Sequence, residues 1–138
     1  MSLSFVSVNV ERDKHYDKVI PFLQEQNPDI ACIQELCEDA IQLFREALGA
    51  NSVSFAPMIR FEGKVIGIGI FTRCPFKVVT KTYYVGDKNH IPDMVKVKPD
   101  QVNRAVLAID LVKNDIEYRI ATTHFTWTPD GSVTDIQL

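Results

Sequence analysis

The segment that most constrains the fold is an almost unbroken apolar run at residues 30–34. Asn27-Pro28 ends the element before it, because the residue that precedes a proline disfavours helical backbone. A run this short and this apolar is typical of a β-strand that is covered on both faces. The sequence therefore predicts a layered domain in which other elements pack on each side of this strand.

Hydrophobic periodicity predicts the order β-α-β-α followed by a series of strands, which is an α/β (α+β) fold class. The first helix has an apolar stripe that begins at Tyr16, and Asp13 is its predicted cap. The second helix is predicted over residues 37–48, and Gly49 suits its C-terminal end. Strands are predicted at residues 3–10, 30–34, 52–59, 65–72, 76–85, 102–112 and 117–123.

Composition excludes several classes of protein. The 138 residues are 46% hydrophobic and 24% charged, with a formal net charge of -3, so the chain lacks the basic excess of a protein that grips nucleic acid by charge alone. Its three cysteines have no CxxC spacing, which argues against a disulfide framework or a zinc knuckle. No signal peptide and no apolar run of about 18 residues is evident, and we expect a cytoplasmic location.

Polar side chains follow three of the apolar strands: Asn9 the first, Glu35 the second and His124 the last. Hydrolysis of a phosphoester needs a cation that offsets charge on the phosphate, donors aimed at the developing charge, and a base. Glu35 suits a hard cation such as Mg²⁺, and Asn9 and His124 are donors. Taken singly, each also has a structural interpretation, namely a helix-capping acid, a turn asparagine and a hydrogen-bonded histidine.

The chain resembles the N-terminal half of the endonuclease/exonuclease/phosphatase superfamily. The resemblance rests on the stretches FVSVNV, NPDIACIQEL, GIGIFTRCPF, NRAVLAID and IATTHFTW, which span nearly the whole chain. The final TDIQL resembles the start of the helix that follows the Thr-His strand in this family. The resemblance implies a four-layer α/β sandwich and hydrolysis of a phosphodiester or phosphomonoester that depends on Mg²⁺ or Mn²⁺.

The resemblance also implies roles for individual residues. Glu35 would bind the metal ion, and Asn9 would join it there or orient a phosphate oxygen or a metal-bound water. Glu11 falls where some branches carry a second acid. His124 would hydrogen-bond the phosphate or stabilise its developing charge. Arg104 matches a frequent arginine of structural or substrate-facing role.

Residues 86–101 have no clear period, and a segment this long inside a domain is often functional. Lys88 and His90 within it are candidate substrate contacts. A solvated flexible loop is the alternative interpretation of the same segment.

The family's later Gly-Asp-x-Asn motif and its Ser-Asp-His ending are absent from this sequence. In the family these residues supply the general base and position the attacking water. We therefore interpret residues 1–138 as the N-terminal portion of one domain, and we expect this portion alone to be inactive. Its expected architecture is a partial four-layer sandwich with a mixed, mostly antiparallel sheet and helices on the outer face of that sheet. In strand 65–72 the residues that point to one face of the sheet and those that point to the other are both apolar. The helices can cover only one of these two faces. We expect the other face to be exposed, and to bind the missing C-terminal half or a second copy.

Two alternatives stay open on the sequence. One is a non-catalytic binding or assembly module that uses the half-fold, and the other is an enzyme completed in trans by a second chain. The substrate is equally open, because nucleic acid, a lipid headgroup and a small phosphate ester are all compatible with these residues. Nuclease and phosphatase activities are not distinguished either.

Overall fold

The computed structural model describes residues 2–125 and 130–133. The helices found there are α1 (Tyr16–Gln26) and α2 (Ile41–Leu48), with 3₁₀ turns at Glu38–Ala40 and Pro99–Gln101. Neither helix in this described part is long and apolar enough to cross a membrane. The strands are β1 (Phe5–Asn9), β2 (Ile30–Cys37), β3 (Ser52–Phe61), β4 (Lys64–Thr72), β5 (Val78–Val85), β6 (Arg104–Lys113) and β7 (Ile116–Thr123).

The first sheet has the strand order β1-β2-β4-β3 and carries both helices on one face. β1 and β2 are parallel, whereas β4 is antiparallel to β2 and to β3. Leu23 of α1 and Phe44 of α2 are fully buried in one core with Ile33 of β2 and Phe71 of β4. The predicted α/β class, with a mixed, mostly antiparallel sheet and helices on its outer face, is confirmed.

The second sheet has the order β5-β6-β7, is antiparallel throughout, and packs on the other face of the first sheet. Ile68 and Ile70 of β4 are fully buried in one cluster with Leu107 and Ile109 of β6. The prediction of an exposed apolar face on the first sheet is therefore wrong, because the chain itself supplies the sheet that covers it. Association with a missing C-terminal half or a second copy stays a prediction, and it requires a different surface.

Two details predicted for the helices are wrong. Asp13 does not cap α1, which begins after His15 without a side-chain cap, and the Asp13 carboxylate instead lies 3.2 Å from the Lys64 ammonium. Cys37 belongs to β2 rather than to α2, because Leu36 and Cys37 both fill core positions and extend the strand beyond its predicted end. The helix expected at the TDIQL segment lies outside the described residues.

Residues 86–103 connect β5 to β6 and are fixed against the rest of the molecule. Asn103 is only 2% exposed and donates two hydrogen bonds of 2.7 Å to backbone carbonyls within the segment. Further along, Arg60 of β3 donates its N–H to the Pro92 carbonyl and accepts the N–H of Met94, both at 2.8 Å. The segment is therefore an anchored wall beside β3 rather than a freely moving loop.

A mostly buried ion pair ties the start of β2 to the end of β6. The Lys113 ammonium donates to Asp29 Oδ2 at 2.6 Å, and Ser4 donates to the same oxygen from its N–H at 2.8 Å and its hydroxyl at 2.9 Å. The hydrogen bond from Lys113, together with those from Ser4, lowers the pKa of Asp29 from 3.8 to about 2. The carboxylate is thus more stable in the folded chain than in the unfolded one.

We expect Asp29→Asn to lower the free energy of unfolding by about 2 kcal/mol at pH 7. Because the folded pKa lies below the unfolded value, the wild-type carboxylate stabilises the fold above about pH 4 and loses that effect as the pH falls through about 2. Urea unfolding of both proteins between pH 7 and pH 2 measures this, with the exposed Asp100→Asn as the control. A stability difference that stays constant down to pH 2 would contradict the expectation.

Candidate functional site

The structure brings together the three polar side chains that follow the strands. Asn9 Nδ2 donates to Glu35 Oε1 at 3.1 Å, and His124 Nε2 lies 3.2 Å from the same oxygen. Asn9 Nδ2 and His124 Nε2 are 3.4 Å apart. Asn9 is the last residue of β1 and pairs with Gln34 of β2, so Glu35 is one residue further along. Glu35 lies inside β2 rather than after it as predicted, and His124 follows β7 of the second sheet.

Glu35 lies in a β-bulge. The pairing of β2 with β4 shifts register between Ile33 and Leu36, and Glu35 has a φ of 54°, which is uncommon for a residue other than glycine. The Glu35 carbonyl accepts the N–H of Arg12 at 3.1 Å, which helps to hold this conformation. Positive φ at a side chain that lines a cavity is the kind of backbone strain that clusters at functional sites.

The Glu35 carboxylate is ionised at neutral pH. The hydrogen bond from His124 lowers its pKa most, burial opposes that effect, and the hydrogen bond from Asn9 lowers it further, to about 2. Within the described residues, both side-chain hydrogen bonds fall on Oε1, so Oε2 has no partner there. An ionised carboxylate with one open oxygen is a suitable ligand for a hard divalent cation.

Arg104 supports His124 from the interior. Its Nη1 lies 3.1 Å from His124 Nδ1, and because a guanidinium only donates, this contact is a hydrogen bond when Nδ1 accepts and the proton is on Nε2. That tautomer also donates from Nε2 to Glu35, and it leaves the Phe125 carbonyl, 2.8 Å from Nδ1, without a bond from the ring. Arg104 therefore favours an imidazole that presents its N–H to the cavity.

The Arg104 guanidinium is itself almost enclosed, with 6% of the residue exposed. Burial lowers its pKa, and the nearby Glu35 carboxylate opposes that effect. Its Nε is buried without a hydrogen-bond partner in the part of the chain that the structure describes. Arg104 also lines the cavity, and a buried guanidinium beside a cavity favours an anionic ligand through its charge.

Asn9 and Glu11 are oriented by one turn. Asn9 Oδ1 accepts the backbone N–H of Glu11 at 2.9 Å, so the Asn9 amide nitrogen, not its oxygen, faces Glu35. The Glu11 carboxylate does not line the cavity and pairs instead with Lys14 at 2.7 Å and His15 at 2.8 Å. In this arrangement Asn9 acts as a donor, and Glu11 is held apart from Glu35.

A cavity of about 580 Å³ opens beside these side chains. Arg12 also lines it, and the sequence alone did not identify this residue. The Arg12 guanidinium lies 4.9 Å from the centre of the Phe61 ring, and its charge contributes to the low pKa of Glu35. Its place in the turn after Asn9 was the only available sequence signal.

The other predicted contacts are placed elsewhere. Lys88 and His90 lie on exposed parts of the 86–103 segment and do not line the cavity, so nothing in the structure supports their predicted contact with substrate. Sequence analysis also missed Gln34, whose Nε2 donates to Ser7 Oγ at 3.0 Å and to Thr122 Oγ1 at 2.9 Å. Gln34 thereby links the two sheets directly below the site.

The donor set fits a divalent cation only in part. Among residues 2–125 and 130–133 there is no group of three or more His, Cys, Asp or Glu side chains that could hold a metal ion. Glu35 supplies one ionised carboxylate, and Mg²⁺ binds proteins through one or two carboxylates while it keeps several waters. The described residues therefore fit a partly hydrated cation rather than a complete protein cage.

Comparison with protein families gives one match, and it spans most of the chain. The profile of the Endonuclease/Exonuclease/phosphatase family matches residues 6–132. No curated protein matches the chain at a significant level.

Several solved structures share the fold. An endonuclease/exonuclease/phosphatase family protein from Leptotrichia buccalis C-1013-b aligns with a TM-score of 0.71 and 14% identity, over 97% of this chain and 57% of that one. TDP2 of D. rerio, complexed with a single-strand DNA product, aligns with a TM-score of 0.66 and 13% identity, over 94% and 48%. The mannosyl-6-phosphatase Bt3783 of Bacteroides thetaiotaomicron VPI-5482 aligns with a TM-score of 0.62 and 14% identity, over 91% and 52%.

The chain thus spans about half the length of these structures. Sequence identities this low show a shared fold and do not indicate a substrate.

Proposed function

The chain belongs to the endonuclease/exonuclease/phosphatase family, and from this we propose that the protein it forms part of hydrolyses a phosphoester with the help of Mg²⁺ or Mn²⁺. The observation that carries the proposal is the ionised Glu35 in a cavity that it shares with two guanidinium groups and two neutral donors. This combination of one anion and several donors suits a phosphate bound beside a cation.

In the proposed reaction the residues of this chain bind and orient the phosphate. Glu35 would hold the cation, which when bound would offset negative charge on the phosphate and activate water. Asn9 Nδ2 has a second N–H for a phosphate oxygen, and His124 Nε2 turns its one N–H from Glu35 Oε1 to the phosphate as negative charge develops there. Arg12 and Arg104 add positive charge that offsets the phosphate charge, since both line the same cavity.

We propose that the group that accepts a proton from water lies outside the residues that the structure describes. His15 pairs with Glu11 and His90 lies on the exposed segment, and neither lines the cavity. We therefore expect residues 1–138 alone to be inactive, as the sequence predicted.

The proposal is tested with the protein that carries this chain. We expect it to release p-nitrophenolate from bis(p-nitrophenyl) phosphate or p-nitrophenyl phosphate in the presence of Mg²⁺ or Mn²⁺, and to lose that activity in EDTA. The comparison of diester with monoester separates a nuclease-like from a phosphatase-like enzyme. Activity that persists after EDTA and dialysis would contradict the cation requirement. Absence of hydrolysis with either metal would contradict the enzyme and favour the non-catalytic binding module.

A further inference from the structure

Most of the cavity beside Glu35 is apolar, although a phosphate needs only polar partners. Of the residues that the structure describes, the polar and charged side chains that line it are those of Asn9, Arg12, Glu35, Arg104 and His124. The remaining lining residues are apolar and come from β3, β4, the 86–103 segment and the chain after β7. They are Met58, Ile59, Ile66, Gly67, Met94, Val97, Pro99, Val102 and Phe125.

Part of this apolar wall is packed into the fold, whereas Met94 and Phe125 are 47% and 63% exposed. Met58 and Ile59 are 5% and 8% exposed; Ile59 pairs with Ile66 of β4, and Met58 lies at the register shift beside it. Met94 is held against β3 by its backbone hydrogen bond to Arg60. Val102 is buried next to Asn103, the side chain that anchors the segment. A cavity of about 580 Å³ has room for a small organic group as well as a phosphate.

We infer that the substrate is a phosphoester whose organic group next to the phosphate is compact and apolar or aromatic. The inference rests on the proposed function and names the substrate class of the same site. The phosphate binds at the polar cluster, and the organic group occupies the apolar wall, where methionine side chains make favourable contacts with aromatic rings. Among residues 2–125 and 130–133 the wall offers no side-chain hydrogen-bond partner, so a sugar placed against them would leave its hydroxyls unpaired.

The binding test uses phenylphosphonate, methylphosphonate and mannose 6-phosphate as probes and does not depend on turnover. Methyl NMR signals of Met58, Met94, Ile59 and Ile66 report on the cavity, and Ile109, buried between the sheets, is the internal control. We expect phenylphosphonate to shift the four cavity methyls and to bind about tenfold or more tightly than methylphosphonate, because only the phenyl group removes a large apolar surface from water. Mannose 6-phosphate should bind no better than methylphosphonate.

A pair of neighbouring variants separates the wall from general effects on the segment. Met94 lines the cavity, whereas Val95 is 78% exposed and does not. Met94→Ala should reduce the preference for phenylphosphonate over methylphosphonate by about threefold or more, and Val95→Ala should leave it unchanged. The backbone hydrogen bond of residue 94 is kept in the first variant, so the segment stays in place.

Three results would overturn the inference: equal affinity for the two phosphonates, tighter binding of mannose 6-phosphate, or equal effects of the two variants. If p-nitrophenyl phosphate is still hydrolysed in any of these cases, the substrate class is wrong and the proposed function stands. If phenylphosphonate shifts the cavity methyls but no phosphoester is hydrolysed, the apolar pocket stands and the proposed function fails.

Discussion

Glu35→Gln should lower the phosphoesterase kcat by about 10²-fold or more, on the scale of losing one electrostatic stabiliser. The glutamine keeps the size of the side chain and can still accept the hydrogen bonds of Asn9 and His124 through Oε1. What it loses is the negative charge, which the low pKa of Glu35 maintains throughout the neutral range. Weaker binding of Mn²⁺, measured by calorimetry on the folded variant, should accompany the loss of rate.

The matched control is Glu38→Gln. Glu38 is an exposed acid three residues further along, in the 3₁₀ turn that follows β2, and it does not line the cavity. We expect this variant to keep wild-type rates and Mn²⁺ affinity. Full activity of Glu35→Gln with unchanged dependence on Mg²⁺ would show that the assignment of Glu35 is wrong.

His124→Phe should reduce kcat by about 10²-fold to 10³-fold, because it removes the donor that faces the phosphate while it keeps a planar ring of similar size. His124→Gln should lose much less, about tenfold, since the glutamine amide can place an N–H near the position of the histidine Nε2. The comparison of these two variants in steady-state kinetics isolates the donor from the packing of the ring.

His90→Phe is the control for this pair, because His90 is an exposed histidine of the 86–103 segment and lies outside the cavity. It should behave like the wild type. Equal rates for His124→Phe and His124→Gln would mean that the Nε2 donor has no part in the reaction and that His124 only fills space between Glu35 and Arg104.

The sequence was sufficient to predict which side chains would meet at the site, and the reason is the geometry of strands. Asn9 ends β1 and Glu35 comes one residue after its partner Gln34 in the neighbouring parallel strand, so their proximity follows from the register of β1 on β2. His124 required a further assumption, namely that the last strand ends at the same edge of the same sheet. That assumption is wrong, because β7 belongs to the second sheet, and His124 reaches Glu35 only because the two sheets pack face to face.

The exposed sheet face was predicted wrongly for a physical reason. Both faces of β4 are apolar, so another element must pack on each face. The sequence shows that such elements are needed but does not show which ones they are. Strands β5, β6 and β7 were all identified, but the alternation of β6 does not reveal whether Leu107 and Ile109 extend the first sheet or pack across it. Sheet membership depends on contacts between residues far apart in sequence, which a local pattern does not encode.

The sequence by itself determined the fold class, the order of the strands and the amide, acid and imidazole near the ends of three of them, because local periodicity and chain order are sufficient for these. Only the tertiary structure decided how those groups act. Long-range contacts accompany the bulge that gives Glu35 a positive φ, place the buried Arg104 behind His124 and bring Arg12 to Phe61. The orientation of the Asn9 amide, by contrast, is set by a local hydrogen bond from the Glu11 N–H. The apolar wall again depends on long-range contacts, since it forms only where a hairpin and a distant segment are packed side by side.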